Sequence, residues 1–368
     1  MKNACVVLKK DKDVVSDSGW QAVAEAFCQN GYTFDEIRML CIAEEYRVIS
    51  ALNSMKSEFE NLVILTEKAL LATAKKYLMQ SFAEGIYQGG VNGAGIYDSQ
   101  KATWLLLSDD SSNTGVSYAK GVCIPYLYKK YGIRAEKYVI RSVGGNEAYL
   151  QRLIAEAKTF SGERITYTHT RRYGEDIVEI SYDDKTPKMM VDDAVRLFAD
   201  GLGESIYALE DISLEEQLVR LLKLRGKKLS IAESFTGGGI GRRIVSVSGA
   251  SEVYFEGLNT YDERSKIKRL GVTEYALKTV GAVSDQTAYE MATGLLNTGD
   301  CDIAIATTGL AGPKSDRSLL PVGLCFIAIG VKERVFVYRY KFDGTREEIT
   351  ETAINYALFL AYKQLKNL

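Results

Sequence analysis

The sequence predicts an α/β protein made of more than one layered domain. Apolar strand-like runs alternate with helical periodicity at both ends of the chain, the pattern of a mostly parallel sheet covered by helices. The 368 residues exceed one typical core and suggest two or three domains. A composition of 46% hydrophobic and 26% charged residues, with 32 Gly and only 4 Pro, is that of a folded chain, neither collagenous nor disordered.

In the first segment, residues 1–133, positions 4–8 read as a short apolar strand and 20–30 as a helix stopped by Gly31. Residues 46–59 have helical spacing, and 62–66 read as a buried strand. Gly89-Gly90-Val91-Asn92-Gly93-Ala94-Gly95 marks a loop, 102–107 another strand, and Ser108-Asp109-Asp110-Ser111-Ser112-Asn113 a polar turn. A helix over 118–130 ends near Gly132.

The second segment, 134–208, alternates over 136–142, turns helical over 146–158, alternates again over 164–171 and 176–182, and is helical over 190–200. This β-α-β-β-α order describes a small α+β linker domain. Its only glycine pair in a turn, Val143-Gly144-Gly145-Asn146, lacks the G-x-x-G loop with which a KH domain grips nucleic acid.

The third segment, 209–368, opens with the capping box Ser213-Leu214-Glu215-Glu216, and Leu214, Leu218, Leu221 and Leu222 form one apolar face before Gly226. Strands follow at 228–232, 254–261 and 302–307, with helices over 240–247, 262–270 and 284–296. A hairpin joins 322–331 to 334–342 across Lys332-Glu333. Thr345-Arg346-Glu347-Glu348 caps a last helix whose Ile349, Ala353, Tyr356, Ala357 and Leu360 face inward. These elements make a complete α/β layer domain.

Several function classes are disfavoured at once. Lys+Arg 46 against Asp+Glu 48 leaves a net charge of -2, so no overall positive field gathers nucleic acid or an anionic membrane. The start of the chain leaves no room for a signal peptide and no apolar run reaches membrane-spanning length, so a cytoplasmic protein is expected. The cysteines at 5, 28, 41, 123, 301 and 325 form no C-x-x-C pair, and reduced thiols without a zinc cluster are expected. His169 is the single histidine and lies in an alternating strand, so a Ser-His-Asp triad or a histidine metal centre has little to build on.

The chemistry concentrates in Leu229-Ser230-Ile231-Ala232-Glu233-Ser234-Phe235-Thr236-Gly237-Gly238-Gly239. A strand running into this turn and then a helix places Ser234 and Thr236 beside helix amides that favour phosphate, carboxylate or a developing oxyanion. A tight turn whose Ser and Thr merely cap the helix fits the pattern equally well. Without histidine, a serine nucleophile needs a lysine held neutral by burial, and Lys266 is the candidate, with Tyr261 at the preceding strand end. Taken alone, Lys266 reads as a solvated helix lysine. Thr307-Thr308-Gly309-Leu310-Ala311-Gly312-Pro313 again puts Thr-Gly at a strand's carboxyl end, where ligands of open sheets collect, or simply makes a two-glycine turn.

These motifs, with Gly281-Ala282-Val283-Ser284, Pro321-Val322-Gly323 and Phe342-Asp343-Gly344-Thr345-Arg346, occur in an order and spacing that closely resembles the carboxyl-terminal domain of the CinA family. The resemblance covers about residues 210 to 366. It implies a nicotinamide mononucleotide deamidase in which Ser234 is the nucleophile, Lys266 its base and Tyr261 an assisting group, with no metal or other cofactor. Thr236, Gly237, Gly238, Ser251, Thr308, Gly309, Gly312 and Arg346 complete the expected substrate site, with Arg346 and the 236–239 turn assigned to the phosphate. Departures are Phe235 where cysteine is usual, Lys314-Ser315-Asp316-Arg317 in place of a Gly-rich loop, and Leu320 where lysine is common.

The first segment resembles the molybdopterin-binding-like half of full-length CinA proteins, and the second the family's small KH-like module. Thr66-Glu67-Lys68-Ala69-Leu70-Leu71-Ala72-Thr73-Ala74 stands where the family has a Gly-Gly-x-Gly-Pro-Thr-x-Asp-Asp loop, and Lys9-Lys10-Asp11-Lys12-Asp13 where a Gly-x-Glu turn is expected. The first domain is therefore expected to be a scaffold without ADP-ribose pyrophosphatase activity. The resemblance also implies a homodimer. The competing expectations are a catalytically drifted pyridine-nucleotide-binding scaffold and a residual metal-dependent pyrophosphatase.

Overall fold

The computed structural model describes residues 2–10, 19–82, 86–90, 93–99, 102–109, 114–132, 135–313, 320–332 and 334–368. The chain divides into two compact units, Met1–Glu136 with Ser181–Thr186, and Lys137–Ile180 with Pro187–Leu368.

The first unit follows the strand-helix alternation of its sequence: β1 (Asn3–Lys9), α1 (Gly19–Cys28), β2 (Glu36–Cys41), α2 (Glu45–Lys56), β3 (Asn61–Thr66), α3 (Leu71–Ser81), β4 (Ile86–Gly89), β5 (Gly95–Asp98), β6 (Thr103–Ser108), α4 (Thr114–Tyr118) and α5 (Ile124–Tyr131). The sheet order is β2-β1-β3-β6-β5-β4. β2, β1, β3 and β6 run parallel, β5 pairs antiparallel with β6, and β4 pairs antiparallel with β5. β1, β3 and β6 are buried along their whole length because apolar clusters cover both sheet faces, which explains their unbroken apolar sequences.

Two readings of this segment need correction. The stretch from Gly89 to Gly95, expected as a loop, has strand at both ends: Gly89 closes β4 and pairs with Gly95, which opens β5. The helix expected at 118–130 starts at Thr114 and widens into a π turn over Ala119–Cys123 before Pro125 opens α5. Residues 67–74, where the sequence lacks the family's glycine loop, form a short turn and the start of α3. At the carboxyl ends of β1 and β6 the buried Lys9 Nζ and Asp109 Oδ2 pair at 2.7 Å. Positions 11–13 of the basic run and 110–113 of the polar turn lie outside the described residues.

The second unit begins with β7 (Ala135–Val143), α6 (Glu147–Ser161), β8 (Ile165–Arg172), β9 (Glu175–Asp183), α7 (Lys188–Leu202) and β10 (Ile206–Ala208), in a sheet of order β10-β7-β9-β8. Asn146 caps α6 through its side chain. The β8–β9 turn is Tyr173-Gly174, both with positive φ (52° and 72°), the conformation that suits a two-residue hairpin. His169 sits in this module, its ring nitrogens 2.9 Å from Asp176 and 2.9 Å from Gln151.

The same unit continues with α8 (Leu214–Arg225), β11 (Leu229–Glu233), α9 (Gly239–Ser246), β12 (Tyr254–Asn259), α10 (Glu263–Leu270), α11 (Glu274–Thr279), α12 (Asp285–Leu296), β13 (Ile303–Gly309), β14 (Leu324–Val331), β15 (Arg334–Lys341) and α13 (Arg346–Lys366). Both expected capping boxes, Ser213/Glu216 and Thr345/Glu348, form. The sheet order is β12-β11-β13-β14-β15, with β12, β11 and β13 parallel.

Its two faces differ in size. Ile231, Ile303, Ile305, Ile327 and Ile329 meet α8, α9 and α13, whereas Ala232, Ala304, Ala306 and Ala328 meet α12 and the end of α10. Period-two alternation assigns the large side chains to one layer and the small to the other. Val143, Tyr207 and Ala208 of the second sequence segment join the isoleucine-side core, so the second and third segments make one compact unit.

Candidate active site

β11, at the centre of the parallel strands, ends in Ser234. β12 leaves on one side of it through α9, and β13 lies on the other, so the crevice beyond their carboxyl ends sits where chain order reverses. Ser234 is buried, and its N–H donates to Thr307 O at 3.1 Å, tying the turn to β13. The Gly237 N–H donates back to Ser234 O at 3.1 Å, and Gly239 N–H to Thr236 O at 2.9 Å. Gly237 and Gly238 accept positive φ (61° and 94°), which a residue with a Cβ resists. The Phe235 and Thr236 N–H groups have no protein acceptor among the described residues.

Lys266 is on α10, capped by the Asp262 side chain. α10 reaches this depth because Gly294 of α12 lies against its last carbonyl: a Cβ built on Gly294 would stand 2.0 Å from Leu270 O. Lys266 is 1% exposed, not the solvated lysine its helix position alone suggests. Its Nζ lies 3.0 Å from Ser234 Oγ, 2.6 Å from Thr260 O and 3.3 Å from Tyr261 O. Burial pushes the amine down to about 8, against the weaker upward pull of Glu263 and Asp262. Once neutral, it can spend its two N–H bonds on the two carbonyls and turn its lone pair to the serine hydroxyl, which then donates to it.

The remaining expected residues fall into three groups. Thr236 and Thr308 are buried at the same strand ends; Thr236 Oγ1 meets Thr307 Oγ1 at 2.7 Å and Thr308 Oγ1 donates to Ala282 O at 2.6 Å. Gly309 ends β13 where a Cβ would stand 2.6 Å from Cys325 Cβ. Arg346, at the start of α13, is exposed and donates through Nη1 to Gly312 O at 2.7 Å, so these two are joined to each other. Phe235 is buried with Ala311, Cys325, Ile349 and Ala353, a cluster that links the serine turn to the Gly312 loop and α13.

Two placements depart from expectation. Tyr261 presents its carbonyl to Lys266, while its side chain is 66% exposed; the strand ends at Asn259 and the cap at Asp262 turns the ring outward. Ser251 lies in an exposed turn before β12, at the amino ends of the parallel strands, opposite the crevice.

The phosphate assigned to the 236–239 turn finds the amides at the start of α9 already occupied. Glu233 Oε2 accepts from Gly238 N–H (3.1 Å) and Ile240 N–H (3.2 Å), and Oε1 from Gly241 N–H (2.9 Å). The amides at the start of α9 are thus held by the chain's own carboxylate. Sequence reading quoted Glu233 without giving it a role, although a charged side chain closing an apolar strand needs a buried partner. The Lys314 to Arg317 segment lies outside the described residues, and Leu320 is half-buried. Among the described residues no helix is long and apolar enough to cross a membrane, and no three His, Cys, Asp or Glu side chains gather as for a metal ion.

Comparison with known proteins agrees with these motifs. Residues 211–365 match the CinA C-terminal domain. A competence-damage inducible protein named from Caldicellulosiruptor saccharolyticus is 35% identical over 246 residues, 66% of this chain and 60% of that one. A CinA-like protein of Kosmotoga olearia is 34% identical over 238 residues, 64% and 58% respectively. The chain thus spans about 60% of the length of these curated relatives. The solved competence/damage inducible protein CihA of Agrobacterium tumefaciens is 35% identical, with 94% of it matched by 40% of this chain and a TM-score of 0.38. Motifs, domain match and relatives agree that this chain belongs to the CinA family.

Proposed function

We propose that the second unit hydrolyses the carboxamide of nicotinamide mononucleotide to nicotinate mononucleotide and ammonia. The observation that carries this reading is the buried Lys266 amine 3.0 Å from Ser234 Oγ. The hydroxyl proton passes to Nζ as Oγ bonds to the carboxamide carbon, and the carbonyl oxygen becomes an oxyanion beside the Phe235 and Thr236 N–H groups. Collapse breaks the C–N bond, and the Lys266 ammonium returns the proton to the leaving nitrogen as ammonia. Water, deprotonated by the amine, then cleaves the acyl-serine ester and restores both groups. Arg346 keeps Nη2 and Nε for the substrate phosphate while Nη1 braces Gly312 O. Tyr261, whose side chain is 66% exposed and which meets Lys266 through its carbonyl, is given no proton-transfer role in this reading.

Ammonia release from nicotinamide mononucleotide by the purified chain tests the reading. Ser234→Ala should lower the rate by about 10⁴-fold or more. An unchanged rate in that variant ends the mechanism.

A further inference from the structure

Glu233 is linked to both halves of the serine-lysine pair, to Ser234 as its chain neighbour and to Lys266 through Thr260. It is 2% exposed, forms no ion pair among the described residues, and leaves β11 on the same side as Ile231, toward α9. Its carboxylate holds the Gly238, Ile240 and Gly241 amides, whose partial positive charge offsets the cost of burying an anion. Its carbonyl accepts the Thr260 N–H at 2.8 Å, and the Thr260 carbonyl in turn accepts from Lys266 Nζ. Ser234 is the next residue in the chain. A displaced carboxylate would therefore free the turn that aims the hydroxyl and slacken the strand end that aims the amine.

We propose that Glu233 is a positioning residue: an anion built into the chain that occupies the start of α9, fixes the Ser234 turn, and sends the substrate phosphate elsewhere. This rests on Ser234 acting as the nucleophile. A cavity of about 200 Å³, lined by Glu233, Gly238, Gly241, Arg242, Tyr254 and Asn259, leads to the carboxylate, so a small anion can reach its place from solvent.

The experiment compares Glu233→Ala and Glu233→Gln in the full chain, with and without formate. In Glu233→Ala, kcat should fall about 100-fold with KM for nicotinamide mononucleotide unchanged, as for a misplaced catalytic group. Formate should recover about tenfold of that loss and raise the variant's melting temperature by on the order of 5 °C, leaving the wild type unmoved. Glu233→Gln should lose kcat to a similar degree without rescue, because its amide fills the space. Full activity in Glu233→Ala, a rise in KM at unchanged kcat, or formate that restores neither rate nor melting temperature overturns the proposal. If Glu233→Ala does not fold, the Gln variant decides: lower kcat at constant KM supports the role, and wild-type kcat overturns it. A wild type that never releases ammonia defeats the deamidase reading alone, since the melting-temperature arm still reports whether the start of α9 needs an anion.

Discussion

At the scale of single residues, Lys266 sets the pH behaviour. Its amine is held down at about 8 chiefly by burial, so the base form predominates only above that value. The rate constant kcat/KM should climb through pH 7 to 8 and level off above, and a profile flat from pH 6 to 9 would exclude Lys266 as the base. The same shift acts on stability. A lysine with a lowered folded-state value binds fewer protons folded than unfolded between about pH 8 and 10.4. Its burial penalty, on the order of 3 kcal/mol, is fully present below pH 8 and is relieved as pH rises through that window. Urea unfolding of wild type and Lys266→Met across pH 7 to 10 should show this rise in the wild type alone. The motif singled out two residues that the fold brings together, but the burial of Lys266 and the occupation of the α9 amides by Glu233 depend on which helices close over the strand ends. Local spacing carries no record of that.

Among elements, those with strong local signals were legible: both capping boxes, and strands with sustained alternation or an unbroken apolar run. β4, β5 and β10 escaped because strands of three or four residues at or near a sheet edge are specified mainly by their neighbour's hydrogen bonds, and β2 because at its edge Ile37 and Met39 stay exposed and mark no buried face. α11 escaped because six residues barely exceed one helical turn. The contact of α10 with α12 depends on one missing Cβ. Gly294→Ala would drive a methyl group into the Leu270 carbonyl and push α10, with Lys266, away from Ser234. The expected result is a stability loss of about 1–3 kcal/mol together with a larger drop in kcat than that loss alone predicts. Denaturant titration and steady-state kinetics on the same variant separate the two.

For the molecule as a whole, the compact units divide near residue 137, beside the expected boundary at 133/134, while the segments on either side of 209 share one unit. Asn355 of α13 donates through Nδ2 to Tyr173 O at 3.0 Å and also pairs with Arg243, while Tyr173 Oη donates to Glu347 at 3.1 Å. The hairpin tip thus rests on the opposite side of the helix that packs on Phe235. A fragment of residues 137–368 should therefore melt several degrees above one of residues 209–368, as judged by thermal scans; equal values would show that the first sheet of this unit adds nothing to the second. The lopsided thickness of the sheet that carries Ser234 has a different outcome. Along β13, Ile303 and Ile305 hold up a tall layer while Ala304 and Ala306 admit a low one. Saturation mutagenesis of that strand should read as a barcode, with isoleucine sites punishing every truncation and alanine sites punishing every added methylene, so that tolerance to size reverses at each successive codon.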